Sequence, residues 1–483
     1  MTATVLEKGG DVAPEEPSPK HTRVLEIDAT REITAIEHET GFWQAARQYP
    51  AATFWAGFFC LAVIMAGFDA QIITSFYALP AFQQKYGQPV GGTGAYEIPA
   101  RWQTGLGMGN PVGQILGALA SGWPMERWGR RVPLAVCCVY SIVFVFVQFF
   151  STSIGMLCAG EVLGGLAYGF YVVIAPTYAS EVCPLALRGV LTASVNLAFV
   201  IGQFIGQGCA AGVESRLDQW AYKIPFAVQW IWPVVILVAL PFAPESPYWL
   251  IRQGRKEDAR KALLQLSSAK NRPDIEQMLL GIEQTDLLEQ EMESTTTFID
   301  CFRGSNLPRT EISVMVYLIQ VIGGNPLIGY ANYFFEQAGL SSSNAFNTIW
   351  AMASMMDIWT FIYQMTVGPI CFVIISEISA TRLRTKTIAI GTAVQAAASI
   401  IFTVAVPYML NSDEGNWGGK TGFLFGGISF LCLIWCYFRL PESRGRTYEE
   451  LDILFQRRVP AREFETYDLL TESAPDKKHE EVF

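Results

Sequence analysis

Histidine is almost missing from this chain: His21, His38 and His479 are the only three, all close to the ends. No imidazole is available in the apolar body of the sequence, which excludes histidine-based catalysis there. Charge is scarce too. Charged residues make up 16% of the 483, against roughly 25% in soluble domains. The net charge of −10 comes largely from the tails and a central loop, and it argues against a nucleic-acid partner. The ten cysteines form no CxxC pair and mostly sit in apolar stretches; Cys432 and Cys436, one helical turn apart, read as packing. Neither a disulfide framework nor a zinc site is expected. No GxxxxGK[ST] loop occurs. The GxG inside "GLGMGNPVGQILG" has no preceding strand and is rejected as a nucleotide site. With no nucleophile–base or metal cluster either, neither an enzyme nor a cofactor is expected. Residues 1–50 carry nine acidic and five basic side chains and no apolar run, so no signal or transit peptide is expected.

What the chain does contain is apolar material: 51% of it is hydrophobic. This falls in ten blocks, 52–76, 103–122, 132–151, 155–178, 189–212, 222–242, 311–335, 351–376, 387–409 and 421–439. Each has about the 20 residues needed to cross a bilayer core. The fold class expected is an all-α polytopic membrane protein. Basic residues cluster in alternate short loops: "ERWGRR" (126–131), Arg188, "RLRTK" (382–386) and "RLPESRGR" (439–446). The positive-inside rule makes those loops and both tails cytoplasmic. The expected organisation is a tail at 1–50, a six-helix half at 51–243 and a linker of amphipathic helices at 244–310. A four-helix half at 311–440 and a second tail at 441–483 follow.

Glycines recur at four-residue spacing: Gly105, Gly109, Gly113 and Gly117, then Gly160/Gly164, Gly165/Gly169, Gly202/Gly206 and Gly208/Gly212. Such stripes permit close helix approach, in a transporter or in any tight bundle. Asp69 and Glu161 are acids inside apolar blocks, where a charge costs roughly 2.5–3.5 kcal/mol and faces a cavity or a partner. Counting 1.5 Å per residue puts them at about 12 and 9 Å from the outer end. They could share a proton, or form a neutral packing pair; both readings stay open. Asn196, Gln203, Gln207, Gln320 and Asn325, with Tyr330 and Tyr333, are further polar groups in the blocks. A single amide reads as interhelical glue; several together favour a polar ligand with many hydroxyls.

Six motifs resemble the sugar porter family of the major facilitator superfamily, most closely its fungal maltose permeases, or α-glucoside transporters. They are "ERWGRR", "PTYASEVCPLALRG" (176–189), "PESPYWL" (244–250), "QVIGGN" (320–325) with "YANYFFEQAGL", "GPICFVIISEI" (368–378) with "TRLRTKT", and "RLPESRGRTYEELD" (439–452). The resemblance implies transport of a sugar, an α-glucoside such as maltose, by a monomer in a fungal plasma membrane, by proton symport or facilitated diffusion. A non-transporting sugar receptor or an inactive paralogue is the alternative. It implies a charge network at the inner gate, mapped here to Arg130, Arg131, Glu181, Arg188, Glu245, Glu377, Arg382, Arg384 and Glu442. It implies sugar contacts from Gln203, Gln320, Asn325, Tyr330 and Phe372, and proton coupling through Asp69, with Glu161 as its partner candidate.

The sequence departs from the family in two ways. Ala66, Gln114 and Thr392 stand where the maltose permease branch often carries two acids and an arginine, which bears on proton coupling. The family also has twelve helices. Block seven matches helix seven and block eight matches helix ten, so "LSSSNAFNTIWAMASMMDIWT" (340–360) reads as a junction from which helices eight and nine are missing. Losing an even number of crossings keeps every remaining loop on its own side.

Overall fold

The structure, a computed structural model, describes residues 42–77, 79–90, 95–213, 215–268, 275–292, 297–324, 361–410, 417, 420–444 and 446–467. The junction at 340–360 lies outside them, as do Asn325, Tyr330, Tyr333 and the three histidines. In chain order the helices are α1 Phe42–Gln48, α2 Pro50–Phe59, α3 Leu61–Phe76, α4 Pro80–Tyr86, α5 Ala100–Trp128, α6 Arg131–Phe149, α7 Ile154–Val182, α8 Leu185–Val213 and α9 Trp220–Val228. There follow α10 Ile231–Ala239, α11 Pro247–Arg252, α12 Lys256–Leu266, α13 Ile275–Met292, α14 Asn306–Ile322, α15 Val367–Ile378, α16 Arg384–Leu410, α17 Thr421–Arg439 and α18 Tyr448–Gln456. One feature was not anticipated: a short antiparallel pair, β1 Gln88–Val90 and β2 Ala95–Glu97, follows α4.

Eight helical segments among the described residues are long and apolar enough to cross a membrane. The α2–α3 pair forms one of them, Pro50–Phe76, and α9–α10 forms another, Trp220–Phe242. Helix α5 stands at block two and has 29 residues, ample to cross at 1.5 Å per residue. Glycine, proline and amides dilute its hydropathy, so it is not one of the eight. Local chemistry sets several starts. Ser153 caps α7 by accepting from Met156 N–H, and Ser246 caps α11 by accepting from Trp249 N–H. Thr447 and Glu450 form a capping box on α18.

The glycine stripes hold α5 against α7 and α3 against α8. A Cβ on Gly113 would sit 2.1 Å from the Val162 carbonyl oxygen, and one on Gly165 2.1 Å from that of Asn110. One on Gly202 would meet the Ile64 carbonyl at 2.1 Å. Backbones that close admit no side chain. Gly208 and Gly212 break the expectation: among the described residues no atom lies within 4 Å of a Cβ there. Two residues beyond Gly206 is a turn of about 200°, so Gly208 faces away from α3.

Helices α11, α12 and α13 form a separate layer with its own small core of Trp249, Leu250, Leu263, Ile275 and Leu279. Ion pairs Lys256–Glu283 and Arg260–Glu276 join α12 to α13 on the surface, where such pairs contribute little. This layer sits at one end of the bundle, with the loops between α5 and α6, α7 and α8, and α15 and α16. That end carries the charged motifs.

Candidate functional site

The charged end is closed by a network crossing from the first six spans to the last helices. Within the first half, Arg130 Nη2 donates to Glu181 Oε1 at 2.7 Å, and both residues are buried. Glu245 accepts from the backbone N–H groups of Arg130 and Arg131 at 3.0 and 3.2 Å. The glycine of "ERWGRR" makes this possible. Gly129 has φ +81°, and a Cβ there would lie 2.6 Å from Glu245 Oε2. Three links then cross between halves: Arg384 Nη1 donates to Ser180 Oγ at 3.3 Å, Lys386 pairs with Glu126, and Tyr448 Oη donates to the Ser180 carbonyl at 3.2 Å.

Tyr448 was not foreseen, and it holds the centre. The Arg188 and Arg384 guanidinium carbons lie 3.7 and 4.1 Å from its ring centroid, so one ring engages a cation from each half. Arg309 pairs with Asp452 at 2.5 Å and ties α14 to the same terminal helix α18. Beside them, burial and then the nearby Asp452 and Glu450 push the Glu449 carboxyl above its ordinary value. Arg382 pairs with Asp286 of α13 at 2.9 Å, linking the helical layer to the second half. Glu377 accepts from Ser443 Oγ at 2.7 Å. Glu442 stands apart from the network: it is exposed and accepts from the Arg444 N–H of its own loop.

Deep in the first half, the two expected acids come together. Asp69 and Glu161 are fully buried and are joined by the Gln148 amide, which donates to Glu161 Oε1 at 2.8 Å and Asp69 Oδ1 at 3.4 Å. Gln229 Nε2 donates to Asp69 Oδ1 at 2.7 Å. Among the described residues no cation pairs with either acid. Asp69 Oδ2, Tyr168 Oη and the amide oxygens of Gln148 and Gln229 are buried without hydrogen-bond partners. Gln148 and Gln229 escaped the sequence reading, though the rule that flagged the other intramembrane amides applies to them equally.

The amides expected to meet a sugar divide sharply. Gln320 is buried and engaged: it donates to the Gly368 carbonyl at 2.8 Å and to Cys371 Sγ at 2.6 Å, and accepts from Gln395. It thereby joins α14, α15 and α16. Phe372 is also buried, edge-on to Tyr317 with centroids 5.8 Å apart. Gln203 of α8 is half-buried, and no hydrogen bond joins its side chain to another described residue. One face of α8 looks toward the second half. Asn196 Nδ2 donates to Gln364 Oε1 at 2.9 Å, and a Cβ on Gly368 would fall 2.9 Å from the same nitrogen. A groove of about 700 Å³ lined by Trp128, Arg131, Leu240 and Lys261 lies at the charged end, away from this face.

Comparison with known proteins gives the context. The family model described as "Sugar (and other) transporter" matches residues 55–357 and 349–455. A maltose permease of Saccharomyces cerevisiae is 34% identical over 494 residues, covering 89% of this chain and 80% of the permease. A general alpha-glucoside permease of the same yeast is 32% identical over 496 residues, covering 90% and 80%. The chain belongs to the sugar transporter family. The proton:xylose symporter XylE, solved with 6-bromo-6-deoxy-D-glucose, shares the fold at a TM-score of 0.68 and 19% identity, covering 84% of this chain and 98% of XylE. Inward-open XylE from E. coli matches at 0.58, with 20% identity, 83% and 99% coverage.

This sugar transporter therefore has the all-α major facilitator fold, is not an enzyme, and spans the membrane several times. Its charged motifs meet at one end. A buried ion pair adds little net stability, but losing one partner is costly. Such a network can favour one of two arrangements of the halves over the other.

Proposed function

We propose that the chain binds an α-glucoside such as maltose between its halves and moves it by alternating access, as a monomer in a fungal plasma membrane with its charged end and both tails cytoplasmic. The observation that carries this is the pairing of a latched charged end with an amide contact between the halves, Asn196 of α8 to Gln364, on the helix that also carries Gln203. The named yeast relatives, a maltose permease and an alpha-glucoside permease, support the substrate class. Sugar contacts are assigned to Gln203, Gln320, Asn325, Tyr330 and Phe372. Gln320 and Phe372 can reach a sugar only after the contacts they now make rearrange. Asp69 and Glu161 hold the coupling proton: two buried carboxyls bridged by one amide, with no cation paired to either among the described residues, can share a proton. A non-transporting receptor is not favoured, because the named relatives are permeases.

Helices eight and nine are taken to be missing. The family model breaks into two segments at 349–357. The match to the maltose permease runs over 494 positions although only 89% of this 483-residue chain takes part, so the relative fills positions that this chain lacks. The full chain in liposomes should bind labelled maltose but take it up at least tenfold more slowly than the yeast permease. An inward proton gradient should drive the residual uptake, and Asp69→Asn should remove that drive. Absence of maltose binding would overturn the substrate class. Uptake at the permease's rate would overturn the missing-helix reading.

A further inference from the structure

We infer that Gln207, Gln71 and Ser75 form an outer subsite that reads the second glucosyl unit of a disaccharide. This deepens the proposed function and rests on it. Gln207 lies four residues beyond Gln203 on α8, and Gln203 lies seven beyond Asn196. At 100° per residue these three amides fall within about 40° of one another. Asn196 fixes where that stripe points, since its amide touches Gln364 of the second half. The stripe therefore borders the space between the halves. Polar side chains there do not carry the cost of facing lipid.

Gln207 is not isolated. Its Oε1 accepts from Gln71 Nε2 at 2.7 Å and from Ser75 Oγ at 3.3 Å, both on α3. Gln207 is exposed, and Gln71 and Ser75 are half-buried. These bonds occupy the Gln207 oxygen, and among the described residues nothing accepts from its two N–H groups. The Gln71 oxygen accepts no bond among the described residues. An open donor beside an open acceptor matches a pair of adjacent sugar hydroxyls. Along α8, Gln207 stands about 6 Å from Gln203 at 1.5 Å per residue, close to one hexose unit. A ring held at the level of Gln203 would thus place the next ring at Gln207. The competing possibility is that the trio merely joins α3 to α8.

The test is equilibrium binding of labelled maltose and labelled glucose to the purified full chain in nanodiscs, with thermal stability measured alongside. Gln207→Ala should weaken maltose binding at least tenfold and leave glucose within twofold, whereas Gln203→Ala should weaken both. Gln71→Ala and Ser75→Ala should repeat the Gln207 pattern more mildly, and they serve if Gln207→Ala does not fold. Equal losses for both sugars, or unchanged maltose affinity in Gln207→Ala and Gln71→Ala, would overturn the subsite and leave the transporter reading standing. A wild-type chain that binds neither sugar would overturn both.

Discussion

Helix α7 of the first half and helix α17 of the second are built to different standards. In the first, α7 is 72% buried across its apolar window, and α5 and α3–α8 pack on and beside it through glycine contacts. In the second, the span Phe361–Ile378 is 33% buried and α17 only 17%. Phe423, Leu431 and Leu433 on α17 are exposed, and among the described residues no atom lies within 4 Å of a Cβ on Gly422, Gly426 or Gly427. The contrast lies between these helices and not between all members of the halves, since α8 in the first and the span Arg384–Val406 in the second are each 39% buried. Hydropathy qualifies a segment to cross a membrane; burial depends on how many neighbours it has. If two helices are missing from the second half, as proposed, its remaining ones have fewer neighbours to cover them.

The largest effect should come from restoring the neighbours. Inserting the helix-eight and helix-nine segment of the yeast maltose permease between Asn347 and Ala351 should raise maltose uptake in liposomes at least tenfold. It should also protect α17 from amide exchange. If the insertion changes neither, the thin second half is not caused by missing helices and the contrast between halves needs another origin.

What was legible beforehand follows the same contrast. The apolar blocks, the linker helices and the motif charges could be read because each depends on local pattern: Arg130, Glu181 and Glu245 lie in recognisable strings and meet as those strings imply. Tyr448 did not stand out because a tyrosine opening a polar tail helix has many uses; only the fold brings Arg188 and Arg384 to its ring. Gln148 and Gln229 gain their meaning only in the fold, where they converge on Asp69 from α6 and from the turn between α9 and α10. Gly208 and Gly212 erred the other way, since spacing says which residues share a face but not whether another helix covers it.

A second way to sharpen the comparison uses one ion pair from each half. Arg130–Glu181 is buried on both sides, whereas Arg439–Glu311 is partly exposed, at 49% and 34%. Glu181→Gln should leave a buried guanidinium without its carboxylate and cost about 3–5 kcal/mol. Glu311→Gln should cost about 1 kcal/mol or less, because solvent screens that pair. Denaturation of both variants in the same micelles checks the ratio. Equal losses would mean that the second half is as well sealed as the first.

The smallest effect compares two glycines that differ only in what stands opposite them. Gly165 faces the Asn110 backbone, with 2.1 Å between a would-be Cβ and the carbonyl oxygen, and nothing there is a flexible side-chain tip. Gly165→Ala must push α5 and α7 apart and should cost about 1–3 kcal/mol. Gly426 has open space around it, so Gly426→Ala should be neutral or stabilising by up to about 1 kcal/mol, from the higher helix propensity of alanine. A destabilised Gly426→Ala would show that some helix approaches α17 closely in the membrane, and the bare face of the second half would then be a contact surface.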